Sequence, residues 1–180
     1  ACIKELGLVK AMDLVLFPFM KRIGMLWQTS TLNPSHEIFA ANLIRDQLII
    51  AIDKVKKPVI ENPKRFLLFL PEAESHETGL LFARYLLKRC GHDALYLGQD
   101  VPYSDITKVT EAFEPDYAFI VLTSLNLGKD INKIIGKVME NIRVPLLLAG
   151  SLISEFDIVV KERLVPLKNV CDMVDFLEEI

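Results

Sequence analysis

The segment RFLLFLPEAESHETGLLFARYLLKRCGHDALYLG, residues 65–98, reads as strand, loop, helix and strand. Residues 66–70 are five apolar residues without alternation, the pattern of a strand buried on both faces. A polar stretch follows, then helical spacing over 76–90, then a second apolar run at 94–97. Outward from this unit the same alternation recurs. Apolar runs stand at 117–122, 145–148 and, more weakly, 164–167, with helical stretches at 104–113, 129–141, 152–161 and 170–180. Five strands separated by helices define an α/β fold with a doubly wound parallel sheet. The expected strand order is 2-1-3-4-5, with ligands beyond the carboxyl ends of strands 1 and 3.

Upstream, residues 1–60 carry only the helical period. Leu8, Met12, Val15, Phe19, Ile23 and Leu26 recur at three- and four-residue steps. Pro18 removes a backbone donor, so a break or kink is expected near Phe17, between helices at 3–16 and 18–29. Asn33-Pro34 is a helix start, a side-chain cap followed by proline at the first helical position. That third helix runs to about Lys56, and Pro58 ends it. The expected organisation is a helical bundle at 1–58 and a Rossmann-like, flavodoxin-type domain at 64–180.

Composition excludes several classes. The chain has 180 residues, 51% hydrophobic and 25% charged, with a mean hydropathy of +0.30. That content excludes disorder. No run of about 18 charge-free apolar residues exists, so no membrane span is expected. The net charge of −3 and the lack of a basic stripe argue against direct nucleic-acid binding. Cys2, Cys90 and Cys171 are scattered without a C-x-x-C pair, which disfavours a disulfide framework or structural zinc and suits a cytoplasmic setting. The chain starts at Ala1 and enters a helical pattern at once, as a piece of a longer protein would.

The informative residues lie after the strands. No dinucleotide or phosphate-loop glycine motif follows strand 1. Glu74, a spacer, His76, two spacers and Gly79 stand there instead. A carboxylate two residues before an imidazole can accept one ring N–H, fix the tautomer and raise the basicity of the other nitrogen, as in metal-bound histidines. Gly79 leaves space on the same helix. Taken alone, these residues read first as a polar surface loop and an incidental glycine. Thr123-Ser124-Leu125 follows strand 3 and Ala149-Gly150-Ser151 follows strand 4. Each alone is ordinary turn chemistry, but all three converge on one crevice. In the helical part, Trp27 is the single tryptophan and Glu37 stands ten residues later. A core anchor and a solvated first-turn carboxylate are their plain alternatives.

Together these residues resemble the cobalamin-binding module of corrinoid proteins, above all that of MerR-type transcription regulators, including the light-responsive repressors of carotenoid synthesis. Trp27 and Glu37 have the family spacing, and Phe39, Asn42, Leu43, Ile44 and Arg45 are similar to the helix that follows. Glu74, His76 and Gly79 match the Glu-x-His-x-x-Gly motif, and Thr123 and Leu125 match a Ser/Thr-x-Leu. Tyr96-Leu97-Gly98-Gln99-Asp100-Val101-Pro102 is similar to the segment after strand 2.

The resemblance implies adenosylcobalamin or methylcobalamin as cofactor. It makes His76 the lower axial ligand to cobalt and the metal-binding residue. Glu74 would orient it. Gly79, Thr123, Leu125 and Gly150 would line the slot for the nucleotide tail. Trp27 and Glu37 would cover the upper face. It also implies a homo-oligomeric sensor that meets DNA through a helix-turn-helix lying before Ala1. Two departures stand out. The family histidine after the glutamate is Ile38 here, which cannot ligate a metal, so no bis-histidine photoproduct is expected; His36 precedes Glu37 and faces elsewhere. The family Gly-Gly reads Ala149-Gly150, whose extra methyl either fits the slot or obstructs it. Three functions follow: a cobalamin sensor without enzymatic activity, a degenerate regulator that binds no cobalamin, and a corrinoid methyl carrier of a methyltransferase system.

Overall fold

The computed structural model of the chain describes residues 2–28, 32–123 and 130–180. Its centre is a five-stranded parallel sheet: β1 (Arg65–Pro71), β2 (Asp93–Val101), β3 (Tyr117–Val121), β4 (Leu146–Ala149) and β5 (Leu164–Pro166), in the order 2-1-3-4-5. Phe66, Leu67, Leu68, Phe69 and Leu70 are fully buried, which is why β1 is apolar without alternation after Arg65. One sheet face joins Leu67, Phe69, Ile120, Leu146 and Leu148 to a core with α6 (Tyr103–Phe113) and α7 (Ile131–Glu140). On α7 the buried Ile131, Ile135, Val138 and Met139 form the helical stripe that pattern anticipates. The remaining helices are α5 (Thr78–Cys90), α8 (Leu152–Glu155) and α9 (Val170–Glu179). Phe176 of α9 packs edge-on to Tyr117, 5.3 Å between ring centroids.

Three boundaries differ from the sequence expectation. The helix after β1 starts at Thr78, so His76 sits in the preceding loop. β2 continues to Val101, because two register shifts against β1 fit extra residues into this edge strand. α8 stops at Glu155; beyond it, Asn132 holds the chain by donating to the Asp157 carbonyl and accepting from the Val159 N–H.

By contact the chain divides into two units, residues 1–50 and 51–180. The first is helical: α1 (Cys2–Leu6), α2 (Leu8–Ala11), a π-helical segment (Met12–Leu16), α3 (Phe17–Gln28) and most of α4 (Pro34–Lys54). The irregularity expected near Phe17 is a π-helical turn ending at Leu16, not a break; the break lies at Gly7, in the left-handed region at φ 77°. From Leu8 to Gln28 the helix continues, because the wider π turn comes just before Pro18 and accommodates a ring that would strike the carbonyl four residues back. Pro34 opens α4 as expected, with the His36 N–H donating to the Asn33 carbonyl at 2.9 Å. Among the described residues no helix is long and apolar enough to cross a membrane.

The last turn of α4 and the segment up to Arg65 belong to the second unit. Lys88 Nζ donates to the Ile52 carbonyl at 2.7 Å, Lys57 pairs with Asp93, and the Lys64 N–H donates to His92 Nδ1 at 3.2 Å.

Candidate functional site

Glu74 is the organising residue. β1 ends at Pro71, a tight turn returns the Glu74 N–H to the Pro71 carbonyl at 3.0 Å, and the Glu74 side chain turns inward with 3% exposure. A buried carboxylate is costly unless donors meet it. Here Oε1 accepts from His76 Nδ1 at 2.8 Å and from the His76 N–H at 3.0 Å, and Oε2 accepts from the Thr123 N–H at 2.8 Å. The carboxylate thus joins the loop after β1 to the end of β3, the pair of strands where the winding of the sheet reverses. With Nδ1 as the donor to Glu74, Nε2 of a neutral ring carries the lone pair. The His76 side chain is 46% exposed.

Around this pair the chain is small and close-packed. Thr123 Oγ1 is buried and has no hydrogen-bond partner among the described residues. Ser151 Oγ donates to the Thr123 carbonyl at 3.3 Å. Gly150 has φ 117°, and an added Cβ would lie 2.7 Å from the Leu122 carbonyl carbon and closer still to its oxygen. Only glycine fits there. A Cβ at Gly79 would meet Val121 Cγ1 at 3.0 Å, so this glycine lets α5 approach β3. Ala149 pairs with Val121 across the β3–β4 ladder, so its methyl lies on the Val121 face of the sheet. Glu74, His76, Gly79, Thr123 and Gly150 are therefore gathered at one end of the sheet. Leu125 lies outside the described residues. Among the described residues no three His, Cys, Asp or Glu side chains converge as a metal cage.

The other candidates belong to the helical unit. Glu37 is half-buried in the first turn of α4, and a Cβ at Gly24 of α3 would be 3.9 Å from its Oε1. Trp27 is three residues further along α3; its side chain lies outside the described residues. Ile38 is exposed, and His36 Nδ1 is 3.2 Å from the Asn33 carbonyl, a helix-start contact away from Glu37.

Sequence reasoning did not single out Asp100. Its Oδ1 accepts the Ala73 N–H at 2.9 Å, directly before Glu74. Glu72 likewise accepts the Tyr103 N–H at 3.2 Å. The signal was the polar Gln99-Asp100 within an otherwise strand-like segment.

Fold and site define a flavodoxin-type domain with a buried acid holding a histidine at the switch point. No protein-family model matches the chain. It is homologous to the HTH-type transcriptional repressor CarH of Myxococcus xanthus, with 30% identity over 122 residues, 68% of this chain and 40% of that protein. The chain thus spans about two fifths of that relative's length. Its fold is shared with the monomethylamine corrinoid protein of Methanosarcina barkeri, at TM-score 0.65 and 16% identity over 92% of this chain and 80% of that one. It is also shared with the methanol:cobalamin methyltransferase complex MtaBC of the same organism, at TM-score 0.51 and 16% identity over 95% of this chain and 66% of that one.

Proposed function

We propose that this chain is the cobalamin-binding sensor module of a transcription regulator. The observation that carries the reading is the Glu74 carboxylate, which bridges the Thr123 N–H and His76 Nδ1 and so directs the lone pair of the imidazole to Nε2. His76 would be the lower axial ligand to cobalt and Glu74 its orienting acceptor. The Thr123 hydroxyl, buried with no partner among the described residues, suits a polar group on the nucleotide tail, since a buried hydroxyl left unpaired costs about 1–3 kcal/mol. Gly79, Leu125 and Gly150 would line the same slot. Residues 64–180 form the binding domain and residues 1–58 the cap, with Trp27 and Glu37 toward the upper face. When bound, adenosylcobalamin or methylcobalamin supplies cobalt with exchangeable axial ligands and a labile cobalt–carbon bond.

Binding that favours one arrangement of cap and domain shifts their equilibrium by its differential affinity. That shift would reach DNA through a helix-turn-helix outside these residues and through association of copies of the chain. Homology to CarH supports the regulatory reading. The fold shared with the monomethylamine corrinoid protein favours a second one, a methyl carrier. The Trp27–Glu37 pair, which matches the spacing of the regulator family the sequence resembles, favours the sensor.

The test mixes the chain in the dark with adenosyl-, methyl- or hydroxocobalamin and desalts it. Wild type is expected to retain a corrinoid spectrum, and His76→Ala to retain at least roughly 10-fold less. Failure of wild type to retain any of the three at well above micromolar concentration makes the chain a degenerate regulator.

A further inference from the structure

We infer that Asp100, near the end of β2, is a positioning residue for the Glu74–His76 pair. It acts through the backbone and touches no cofactor. Its bearing on cobalt rests on the reading of His76 as an axial ligand. Asp100 grips the chain on both sides of the peptide joining Ala73 to Glu74. Its Oδ1 accepts the Ala73 N–H at 2.9 Å, and its own N–H donates to the Glu74 carbonyl at 3.3 Å. Ala73 has φ 71° and Asp100 φ 57°. Neither is glycine, and the left-handed region is disfavoured for a residue with a Cβ. Such conformations persist where the surroundings over-determine them. Glu114, the other described non-glycine residue of this kind, merely ends a helix.

The route to this contact is built into the sheet. Opposite β1, Leu68 pairs with Tyr96, Phe69 with Gly98 and Pro71 with Val101, so β2 holds two extra residues over that span. The surplus bends the edge strand and brings Asp100 over the turn at Glu72 and Ala73. Glu72 returns the favour by accepting the Tyr103 N–H at the start of α6. The two loops after β1 and β2 are thereby laced together. Asp100 is exposed, so burial does not require its hydrogen bond; the contact holds Ala73 in its strained conformation and fixes the direction in which Glu74 leaves the turn.

Two variants separate this role from bulk stability. Asp100→Asn keeps an oxygen acceptor and tolerates the left-handed backbone. Asp100→Gly relaxes the backbone and removes the acceptor. The first readout is amide hydrogen exchange in the cofactor-free chain at His76 and Thr123, whose N–H groups both end on Glu74. Exchange is expected to speed up in the glycine variant and to stay near wild type in the asparagine variant. The second readout is the Kd for methylcobalamin and the absorbance signature of histidine ligation, with roughly 10-fold weakening expected for glycine and about 2-fold or less for asparagine. Unchanged exchange, or wild-type affinity and spectrum in the glycine variant, overturns the inference while leaving cobalamin binding intact. Should wild type bind no cobalamin, the functional reading fails, and the exchange experiment alone decides whether Asp100 positions Glu74. If the glycine variant does not fold, Asp100→Ser, whose shorter side chain withdraws the acceptor, takes its place.

Discussion

Glu74 and Thr123 lie 49 positions apart, yet one carboxylate oxygen closes the distance to 2.8 Å. That bond exists because β1 and β3 are neighbours in the sheet, and the Thr123 hydroxyl beside it is buried with no partner among the described residues. Thr123→Val removes the hydroxyl and keeps the shape. It is expected to raise the stability of the cofactor-free chain by about 1 kcal/mol in urea denaturation and to weaken cobalamin retention. A loss of stability would show that the hydroxyl is satisfied by the protein. The two glycines of the site differ sharply. Gly150→Ala places a Cβ on the Leu122 backbone at φ 117° and is expected to cost about 3 kcal/mol or more, read as a large fall in Tm. Gly79→Ala meets only the tip of Val121, which can shift, and is expected to cost about 1 kcal/mol.

At the scale of elements, periodicity served best where packing decides the residues. The buried run of β1 and the stripe of α7 were legible because burial on two faces and on one face leave different patterns. The π segment before Pro18 was not legible, because proline signals a conflict in the helix and not how the neighbouring turn resolves it. Nor was the far half of β2, where the polar Gln99 and Asp100 are tolerated on a bulged edge strand. The junction of α5 and β2 carries a pH dependence. His92 is buried and its Nδ1 accepts the Lys64 N–H, and burial together with Lys57 and Lys64 lowers its pKa below the usual 6.5. The folded chain therefore binds fewer protons at this residue than the unfolded one below that pH. Stability is expected to be complete at neutral pH and to fall as pH drops below about 6.5 toward the folded-state pKa. His92→Asn keeps an acceptor for Lys64 and should flatten that part of the profile in thermal melts across pH 5–8.

For the whole molecule, the order and spacing of short motifs carried the reading of the site, and the fold brought five of the eight named residues to one end of the sheet. Glu74, His76, Gly79, Thr123 and Gly150 meet through backbone proximity that parallel strand order dictates. Asp100 was not singled out because the polar Gln99-Asp100 marks an irregular strand but not the register shift that carries Asp100 to Ala73. Homology to CarH over 122 residues agrees with the motif reading, and the corrinoid proteins share the fold at 16% identity. The central claim is that His76 ligates cobalt. It is tested most directly by electron paramagnetic resonance of the chain with bound cob(II)alamin, prepared with unlabelled and with 15N-labelled histidine. Ligation by His76 predicts that the nitrogen splitting changes from a triplet to a doublet on labelling and that the histidine signal is lost in His76→Ala. A triplet that persists with labelled histidine would mean that the cofactor keeps its own base, and would contradict the account.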